Sequence, residues 1–227
     1  MRYPAMRYPG EWEPHERTIM GWPCRMELWG RMLEQARADY AEVANAIADF
    51  EDVTMIAAST EDARAARSAC TARVQIVELP IDDSWLRDSG PIYVVDDAGG
   101  RMAVHFGFNA WGEKFSPWDR DAEIGGLIAR ELGDEVRSAP MVLEGGSVIS
   151  DGAGTTVTTE QCLLAPNRNP SLSQDAIEEL LAEYLGAERV VWLGQGLVED
   201  RDTDGHVDLI AAFTPERRAL RRARARR

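Results

Sequence analysis

At 227 residues, the chain is long enough for one ordinary domain, or one larger fold of repeated units, with a buried core. Its formal net charge of −14 is uneven, because residues 216–227 carry seven Arg and one Glu, which leaves −20 on residues 1–215. So acidic a body disfavours nucleic acid and anionic membranes as partners and favours cationic small molecules.

Cysteine usage and hydropathy indicate where the protein acts. The three cysteines are odd in number and contain no C-x-x-C pair, so they predict neither a disulfide framework nor a zinc ribbon. No apolar run approaches the length of a membrane span, and the first residues lack the apolar segment of a signal peptide. We expect a soluble, unexported protein in the reducing cytoplasm.

The first elements along the chain alternate between helix and strand. Over residues 28–50, apolar side chains recur every three or four positions, which is the spacing of one helical face. A strand over 53–58, an Ala-rich helix that reaches Cys70 and an apolar strand that ends at Pro80 follow. This order is typical of an α/β protein.

Two hairpins are predicted in the middle of the chain. "WLRDSGPIYVVDDAGGRMAVHFGF" contains two strands around a glycine turn at 96–100, and "APMVLEGGSVISDGAGTTVTTEQCLLAP" contains two around 151–154. Between the hairpins, Asp119 caps a predicted helix that ends at Leu132, with Gly133 just beyond it.

The last third of the body predicts one helix and two strands. Ser173 caps a helix that reaches Leu185 and that Gly186 closes. "RVVWLG" and "HVDLIAAF" are predicted strands. The chain therefore consists of about three successive α/β units of similar content, which indicates a repeating α/β fold.

Four clusters place acids or histidine beside glycine or a strand end, where backbone can approach a ligand. They are "WLRDSGP" with Asp88, "LEGGS" with Glu144, "FNAWGEK" with Asn109 and Trp111, and "DGHVD" with His206 and Asp208. Taken singly, each has a structural alternative. In these alternatives, Asp88 would pair with Arg87 or cap a turn, Glu144 would be a turn residue, and His206 would be a hydrogen-bonded structural histidine.

The last cluster also has a metal interpretation. Asp200-x-Asp202-x-Asp204-Gly205 copies the first six positions of a calcium loop, in which alternate carboxylates converge on the ion. The copy fails at the twelfth position, where Ala211 replaces the bidentate Glu, and its flanks are predicted strands rather than helices. We therefore expect no metal site here.

Taken together, the clusters resemble one family, the agmatine deiminases within the Porphyromonas-type peptidylarginine deiminase group of guanidine-modifying enzymes. The resemblance rests on "GEWEPHERTIMGWP", "DDSWLRDSGP", "FNAWGEK", "VLEGGSVISDGAGTTVTTEQCLLAPNRNP" and "TDGHVDLIAAF", and defines a domain over 8–213. It implies a pentein fold, an αβ propeller of five pseudo-symmetric units, of which about three are present. It also implies hydrolysis of agmatine to N-carbamoylputrescine and ammonia, a step of putrescine biosynthesis, without a cofactor.

The resemblance assigns roles to individual residues. Asp88 and Asp208 would hold the planar guanidinium by charge-assisted hydrogen bonds. His206 would protonate the leaving amine and then activate water, and Glu144 would orient His206. Three further residues would line the substrate pocket: Trp85, Asn109 and Trp111. Core packing accounts for the two tryptophans equally well.

The family nucleophile is a Cys in a segment resembling "GGGNIHC", and this sequence contains no such segment. None of its three cysteines matches by motif: they are Cys24, Cys70 and Cys162. From about Pro215 the sequence departs from the family and leaves 216–227 as a basic tail, expected outside the fold. Two explanations stay open: a shifted reading frame or early stop, and a natural basic helix that binds nucleic acid or membrane.

Two classes of function stay open as well. In the first, the chain holds the guanidinium-binding half of an agmatine deiminase, a hydrolase without its nucleophile segment. In the second, it is a non-catalytic fragment that binds a guanidine or a partner. Within the enzyme class, a peptidylarginine deiminase-type enzyme that acts on peptidyl arginine is the alternative to an agmatine deiminase. The expected partner is a small guanidine rather than nucleic acid or membrane, and the sequence is compatible with a homo-oligomer.

Overall fold

The computed structural model describes residues 6–216 and the backbone of residues 219–221. The strands in this part are β1 (Arg17–Gly21), β2 (Asp52–Ala57), β3 (Val74–Glu78), β4 (Ile92–Val95), β5 (Arg101–Gly107), β6 (Val136–Val142), β7 (Ile149–Ser150), β8 (Thr155–Thr159), β9 (Arg189–Leu193), β10 (Ala211–Phe213) and β11 (Ala219–Arg221). The helices are α1 (Met26–Trp29), α2 (Leu33–Ile47), α3 (Thr60–Ala69), α4 (Leu86–Ser89), α5 (Ala110–Glu113), α6 (Asp119–Glu131), α7 (Glu160–Leu163) and α8 (Gln174–Leu185).

The first sheet is parallel, with β2 between β1 and β3. Helices α2 and α3 contact it, and Trp22, Met55 and Ala63 are among the buried side chains that form their shared core. The helix predicted over 28–50 is present but divided, because Gly30 adopts a φ of 51° between α1 and α2. Only glycine adopts such a conformation without a steric cost.

The second and third sheets share one order of elements. In each, an antiparallel hairpin (β4 with β5, β7 with β8) is followed by a helix, α6 or α8, and then by a strand, β6 or β9, that pairs in parallel with the second hairpin strand. Both predicted hairpins and both predicted helices are therefore confirmed. Side chains of the second sheet and of α8 form one core, which includes Phe106, Leu143, Ile177 and Leu181.

The predicted cap of α6 is wrong. Trp118 occupies the N-cap position without a side-chain hydrogen bond, and Asp119 lies in the first turn. The carboxylate of Asp82 accepts the N–H groups of Arg120 and Asp121 at 2.9 and 3.4 Å instead. A residue distant in sequence thus supplies the acceptor that a helix N-terminus requires.

The strand predicted for "HVDLIAAF" is wrong in its first half. Residues Val207–Leu209 form a 3₁₀ turn, and β10 begins only at Ala211. The reason is the preceding backbone: Asp204 and Gly205 have φ values of 61° and 90°, and the Asp200 carboxylate accepts the N–H of Gly205 at 2.7 Å. This turn redirects the chain before it can extend.

The backbone of residues 219–221, which the sequence predicts outside the fold, forms β11 and pairs antiparallel with β10. The unpaired edge of β10 explains how a short segment adds to it. The remaining tail residues, 217, 218 and 222–227, lie outside the described residues. Within the described part of the chain, no helix has the length and apolar character needed to cross a bilayer.

A short helical turn precedes each hairpin. These turns are α4 before β4, the 3₁₀ turn Gly145–Ser147 before β7 and the 3₁₀ turn Val207–Leu209 before β10. The second turn contacts both others. Three segments far apart in sequence thus meet at one place.

Candidate active site

Asp88 projects from α4, and both of its carboxylate oxygens accept hydrogen bonds. Oδ1 accepts the backbone N–H of Gly146 and Oδ2 accepts the indole N–H of Trp111, each at 2.9 Å. The predicted alternative of a pair with Arg87 has no counterpart among the described contacts. The Arg87 guanidinium instead lies 2.7 Å from Glu11 and 3.6 Å from Asp208. Neutral donors therefore orient Asp88, and within the described part of the chain no Lys or Arg forms an ion pair with it.

His206 lies between two acids and is only 2% exposed. Its Nδ1 is 3.7 Å from Asp88 Oδ1, and its Nε2 is 3.9 Å from Glu144 Oε2. The buried Nε2 has no hydrogen-bond partner among the described residues. The alternative of a structurally hydrogen-bonded histidine therefore does not account for its ring.

Gly146 explains why the "EGG" motif contains glycine. A Cβ at this position would lie 2.5 Å from His206 Nδ1, 2.7 Å from Asp208 Oδ2 and 2.9 Å from Asp88 Oδ1. Any side chain would displace these groups, since real Cβ atoms do not approach other atoms so closely. The same distances establish that two carboxylates and one imidazole surround a single point of the backbone.

Asp208 follows His206 in the 3₁₀ turn, and its side chain is 28% exposed. Burial raises the pKa of its carboxyl group, and the charges of His206 and Arg87 act in the opposite direction. Arg87 is not held tightly against it, since Nε lies 3.6 Å from Oδ2. Asp208 can therefore accept hydrogen bonds from another cation.

Glu144 is completely buried and has a buried cation beside it. Arg168 Nε donates to Glu144 Oε1 at 2.5 Å, and Arg168 Nη1 donates to Asp204 Oδ2 at 3.1 Å. Asp204 Oδ1 in turn accepts Lys114 Nζ at 2.6 Å. Burial raises the pKa of the Glu144 carboxyl group, whereas the charge of Arg168 opposes the shift. A chain of alternating charges thus connects Glu144 to the surface.

Arg168 is the member of this site that the sequence analysis missed. It lies in "PNRNP", within one of the quoted motifs, but its partner Glu144 is 24 positions away. The signal that could have pointed to Arg168 was Glu144, because an ionised carboxylate in a protein interior requires a cation or several donors.

A cavity of about 580 Å³ opens beside these groups. Asp88, His206 and Asp208 lie in its lining, together with an aromatic wall: Trp29, Trp85, Phe108, Trp111, Phe115 and Trp118. The rings of Trp29 and Trp85 stack at 5.8 Å, and both indole N–H groups donate to the buried Asp83 carboxylate. Trp29 is a further wall residue that the sequence analysis did not single out.

Asn109 does not lie in the cavity lining. Its Oδ1 accepts the N–H of Gly112 at 2.9 Å and caps α5, and its Nδ2 donates to the carbonyl of Asn167. Trp111, two positions after Asn109, has a φ of 56°, which a non-glycine residue rarely adopts. Asn109 thus fixes the turn that directs Trp111 towards Asp88.

None of the three cysteines has the environment of an activated thiolate. Burial raises the pKa of Cys24 to about 12 and raises that of Cys70 as well. Burial and the charge of Glu144 raise the pKa of Cys162 well above its ordinary value. Nucleophilic cysteines have the opposite property, a lowered pKa in an electropositive setting.

Two of the three carboxylates of the calcium-like loop, those of Asp200 and Asp204, have internal partners. Asp200 accepts hydrogen bonds from Asp202, Thr203 and Gly205, and Asp204 is bonded to Lys114, Asn167 and Arg168. The loop therefore uses its acids to form the turn that places His206.

Comparisons with known proteins identify the family to which this chain is similar. The family model of the Porphyromonas-type peptidyl-arginine deiminases matches residues 7–225. A protein of Stutzerimonas stutzeri named agmatine deiminase is 47% identical over 90% of this chain and 57% of its own length. Another of Pseudomonas aeruginosa is 45% identical over 93% of this chain and 59% of its own length.

The solved structure of agmatine deiminase of Enterococcus faecalis superposes with a TM-score of 0.88 at 37% identity. The match covers 92% of this chain and 58% of that one. The α/β fold described above is therefore that of agmatine deiminase structures, and the chain spans less than two thirds of the length of these relatives.

Proposed function

The chain belongs to the Porphyromonas-type peptidyl-arginine deiminase family, and from that premise we propose that it contains the guanidinium-binding half of an agmatine deiminase. The reaction is hydrolysis of agmatine to N-carbamoylputrescine and ammonia. The observation that carries the proposal is the convergence of Asp88, His206 and Asp208 on Gly146 beside an aromatic cavity. In this proposal, three sheets are three of five propeller units.

The guanidinium of agmatine binds between Asp88 and Asp208. A guanidinium presents its N–H donors in one plane, and carboxylates in that plane accept them with charge-assisted hydrogen bonds. Trp85 and Trp111 lie in the cavity wall, where the face of an indole ring attracts a cation electrostatically. The acidic body of the chain attracts such a ligand over a longer range.

His206 serves as the acid and base of the reaction. It protonates the departing ammonia and then removes a proton from the attacking water, and Glu144 orients its ring. Arg168 holds Glu144 in place through the 2.5 Å hydrogen bond. The nucleophilic thiolate comes from a segment like "GGGNIHC", which this sequence lacks.

A second candidate function is guanidine binding without turnover. The observation that favours it is the raised pKa of all three cysteine thiols, because covalent attack requires a thiolate. Both functions place the protein in the cytoplasm, a compartment that suits three unpaired cysteines.

Calorimetric titration with agmatine tests the proposal. Losing a charge-assisted hydrogen bond costs about 1.5 to 3 kcal/mol, so Asp88→Asn and Asp208→Asn should each weaken binding by about tenfold or more. Asp202→Asn is the matched control, because Asp202 also lines the cavity but is not among the three side chains around Gly146, which are Asp88, His206 and Asp208. If Asp88→Asn and Asp208→Asn both bind agmatine as tightly as the unaltered protein does, these acids do not hold the guanidinium. If an arginine peptide binds more tightly than agmatine, the substrate is peptidyl arginine instead.

A further inference from the structure

Three buried side chains beside the proposed guanidinium site are arranged as metal ligands. They are Glu144, Cys162 and His206, and one ligand atom of each lies within 4.8 Å of the others. We propose that these residues form a binding site for a thiolate-preferring divalent ion, represented by Zn²⁺. The inference goes beyond the proposed hydrolysis, because it concerns direct binding of an ion and not turnover.

The spacing suits zinc after a small contraction. Glu144 Oε2 is 3.9 Å from Cys162 Sγ and 3.9 Å from His206 Nε2. Because the third separation is at most 4.8 Å, a point equidistant from the three atoms lies roughly 2.0 to 2.5 Å from each, whereas zinc bonds to N, O and S are about 2.0 to 2.3 Å. Side-chain shifts of a few tenths of an ångström therefore bring these three atoms to bonding distance of the ion and leave the fourth position of the tetrahedron for a water molecule.

The donor atoms are available to an ion. His206 Nε2 is buried and has no hydrogen-bond partner among the described residues, which is costly unless something binds it. The two oxygens of Glu144 have different roles: Oε1 accepts a hydrogen bond from Arg168 Nε, whereas Oε2 accepts the Cys162 thiol at 3.9 Å, a bond that coordination would replace, and faces His206 Nε2. The carboxylate can thus bind an ion without releasing Arg168.

Neighbouring contacts hold the ligands in position. Thr159 Oγ1 accepts the N–H of Cys162 and donates to the carbonyl of Gly205, which joins the turn of the cysteine to that of the histidine. On the far side of the imidazole, Nδ1 lies 3.7 Å from Asp88 Oδ1. A carboxylate behind a ligating histidine is a common arrangement around zinc and increases the basicity of the ligand.

The chemistry of coordination balances without a redox step. The ion displaces the thiol proton of Cys162 to solvent, and the thiolate and the Glu144 carboxylate offset its two positive charges. Arg168 keeps Asp204 as a second ion-pair partner at 3.1 Å. One sulfur, one nitrogen and one oxygen ligand favour Zn²⁺ or Co²⁺ over Mg²⁺ and Ca²⁺, which prefer oxygen.

The test is calorimetric titration of the chelator-treated chain with Zn²⁺. One ion per chain should bind, and Cys162→Ser and His206→Asn should each weaken binding by about 100-fold or more, since loss of outer partners alone costs 10- to 100-fold. Cys70→Ser and His15→Asn are matched controls, because neither residue belongs to the cluster. Both should bind Zn²⁺ as the unaltered chain does.

Co²⁺ gives a second measurement that needs no variant. A cysteine ligand produces a thiolate-to-metal charge-transfer band in the ultraviolet, and four-coordinate Co²⁺ produces intense visible bands. Their absence from the unaltered chain would overturn the proposal, as would undiminished Zn²⁺ binding by folded Cys162→Ser and His206→Asn. If the unaltered chain binds Zn²⁺ but does not bind agmatine, the proposed guanidinium site is refuted and the proposed metal site is not.

Discussion

Among individual residues, Arg168 has the largest expected effect on stability. Its two ion-pair partners are Glu144 and Asp204, and its side chain and that of Glu144 are fully buried. Removing one member of a buried ion pair leaves an uncompensated charge, which costs about 3 to 5 kcal/mol. We expect Arg168→Ala to lower the free energy of unfolding by this amount in urea titrations at pH 7.

Arg73 provides the matched control for that experiment. It pairs with Asp49 at 2.8 Å, but both side chains are about two thirds exposed. Exposed pairs contribute at most about 1 kcal/mol, so Arg73→Ala should have little effect. Similar losses from both variants would contradict the structural role assigned to the buried pair.

Asp121 links stability to pH. Burial raises the pKa of its carboxyl group from 3.8 to about 6, although it accepts the N–H of Asp82. The folded protein therefore binds this proton more tightly than the unfolded chain, and the associated stability, present below pH 3.8, is lost as pH rises towards 6. The shift corresponds to about 3 kcal/mol.

We expect Asp121→Asn to remove this dependence. Relative to the unaltered chain, the variant should gain about 3 kcal/mol of unfolding free energy between pH 4 and pH 7, because an amide carries no charge to bury. Asp119→Asn is the control from the same turn, since Asp119 is exposed. Parallel pH profiles of Asp121→Asn and the unaltered chain would show that Asp121 ionises normally.

Among the elements, α6 depends on a cap from outside its own sequence. The Asp82 carboxylate accepts two N–H groups of its first turn, so Asp82→Ala should cost about 1 to 2 kcal/mol. Urea titration at pH 5 is suitable, because Asp121 is then protonated and the repulsion between the two acids is absent. Asp119→Ala should change the free energy of unfolding little. A larger loss from Asp119→Ala than from Asp82→Ala would show that Asp119 caps α6 after all.

The elements that the sequence predicts are those with local signals. Both hairpins and α8 follow from turn glycines, alternating apolar residues and the Ser173 cap, which all lie within the element. The short turns that carry Asp88 and Asp208 are not predicted, because their geometry depends on partners such as Gly146 far along the chain. The site residues were found by motif resemblance, whereas their mutual distances needed the fold.

For the whole molecule, the cavity has a polar floor and an apolar rim. Trp85, Leu28 and Leu209 line it and are 37%, 44% and 44% exposed. The match covers 58% of the length of the agmatine deiminase structure, so the comparison leaves about two fifths of that relative without a counterpart in this chain. Under the function proposed above, agmatine binding and agmatine turnover are separable, because the acids that hold the guanidinium are present and the nucleophile segment is not.

The final prediction is that the purified chain binds agmatine without releasing N-carbamoylputrescine. General acid and base catalysis by His206 contributes about 10² to 10⁴ in rate and does not replace covalent attack on a resonance-stabilised guanidinium. Cys162, the cysteine nearest to His206 in the buried cluster, has a pKa raised by burial and by Glu144, so its thiol stays protonated. Colorimetric detection of the ureido product measures turnover. Product formation that Cys162→Ala abolishes and Cys70→Ala preserves would make Cys162 the nucleophile, and the separation of binding from turnover would then be wrong.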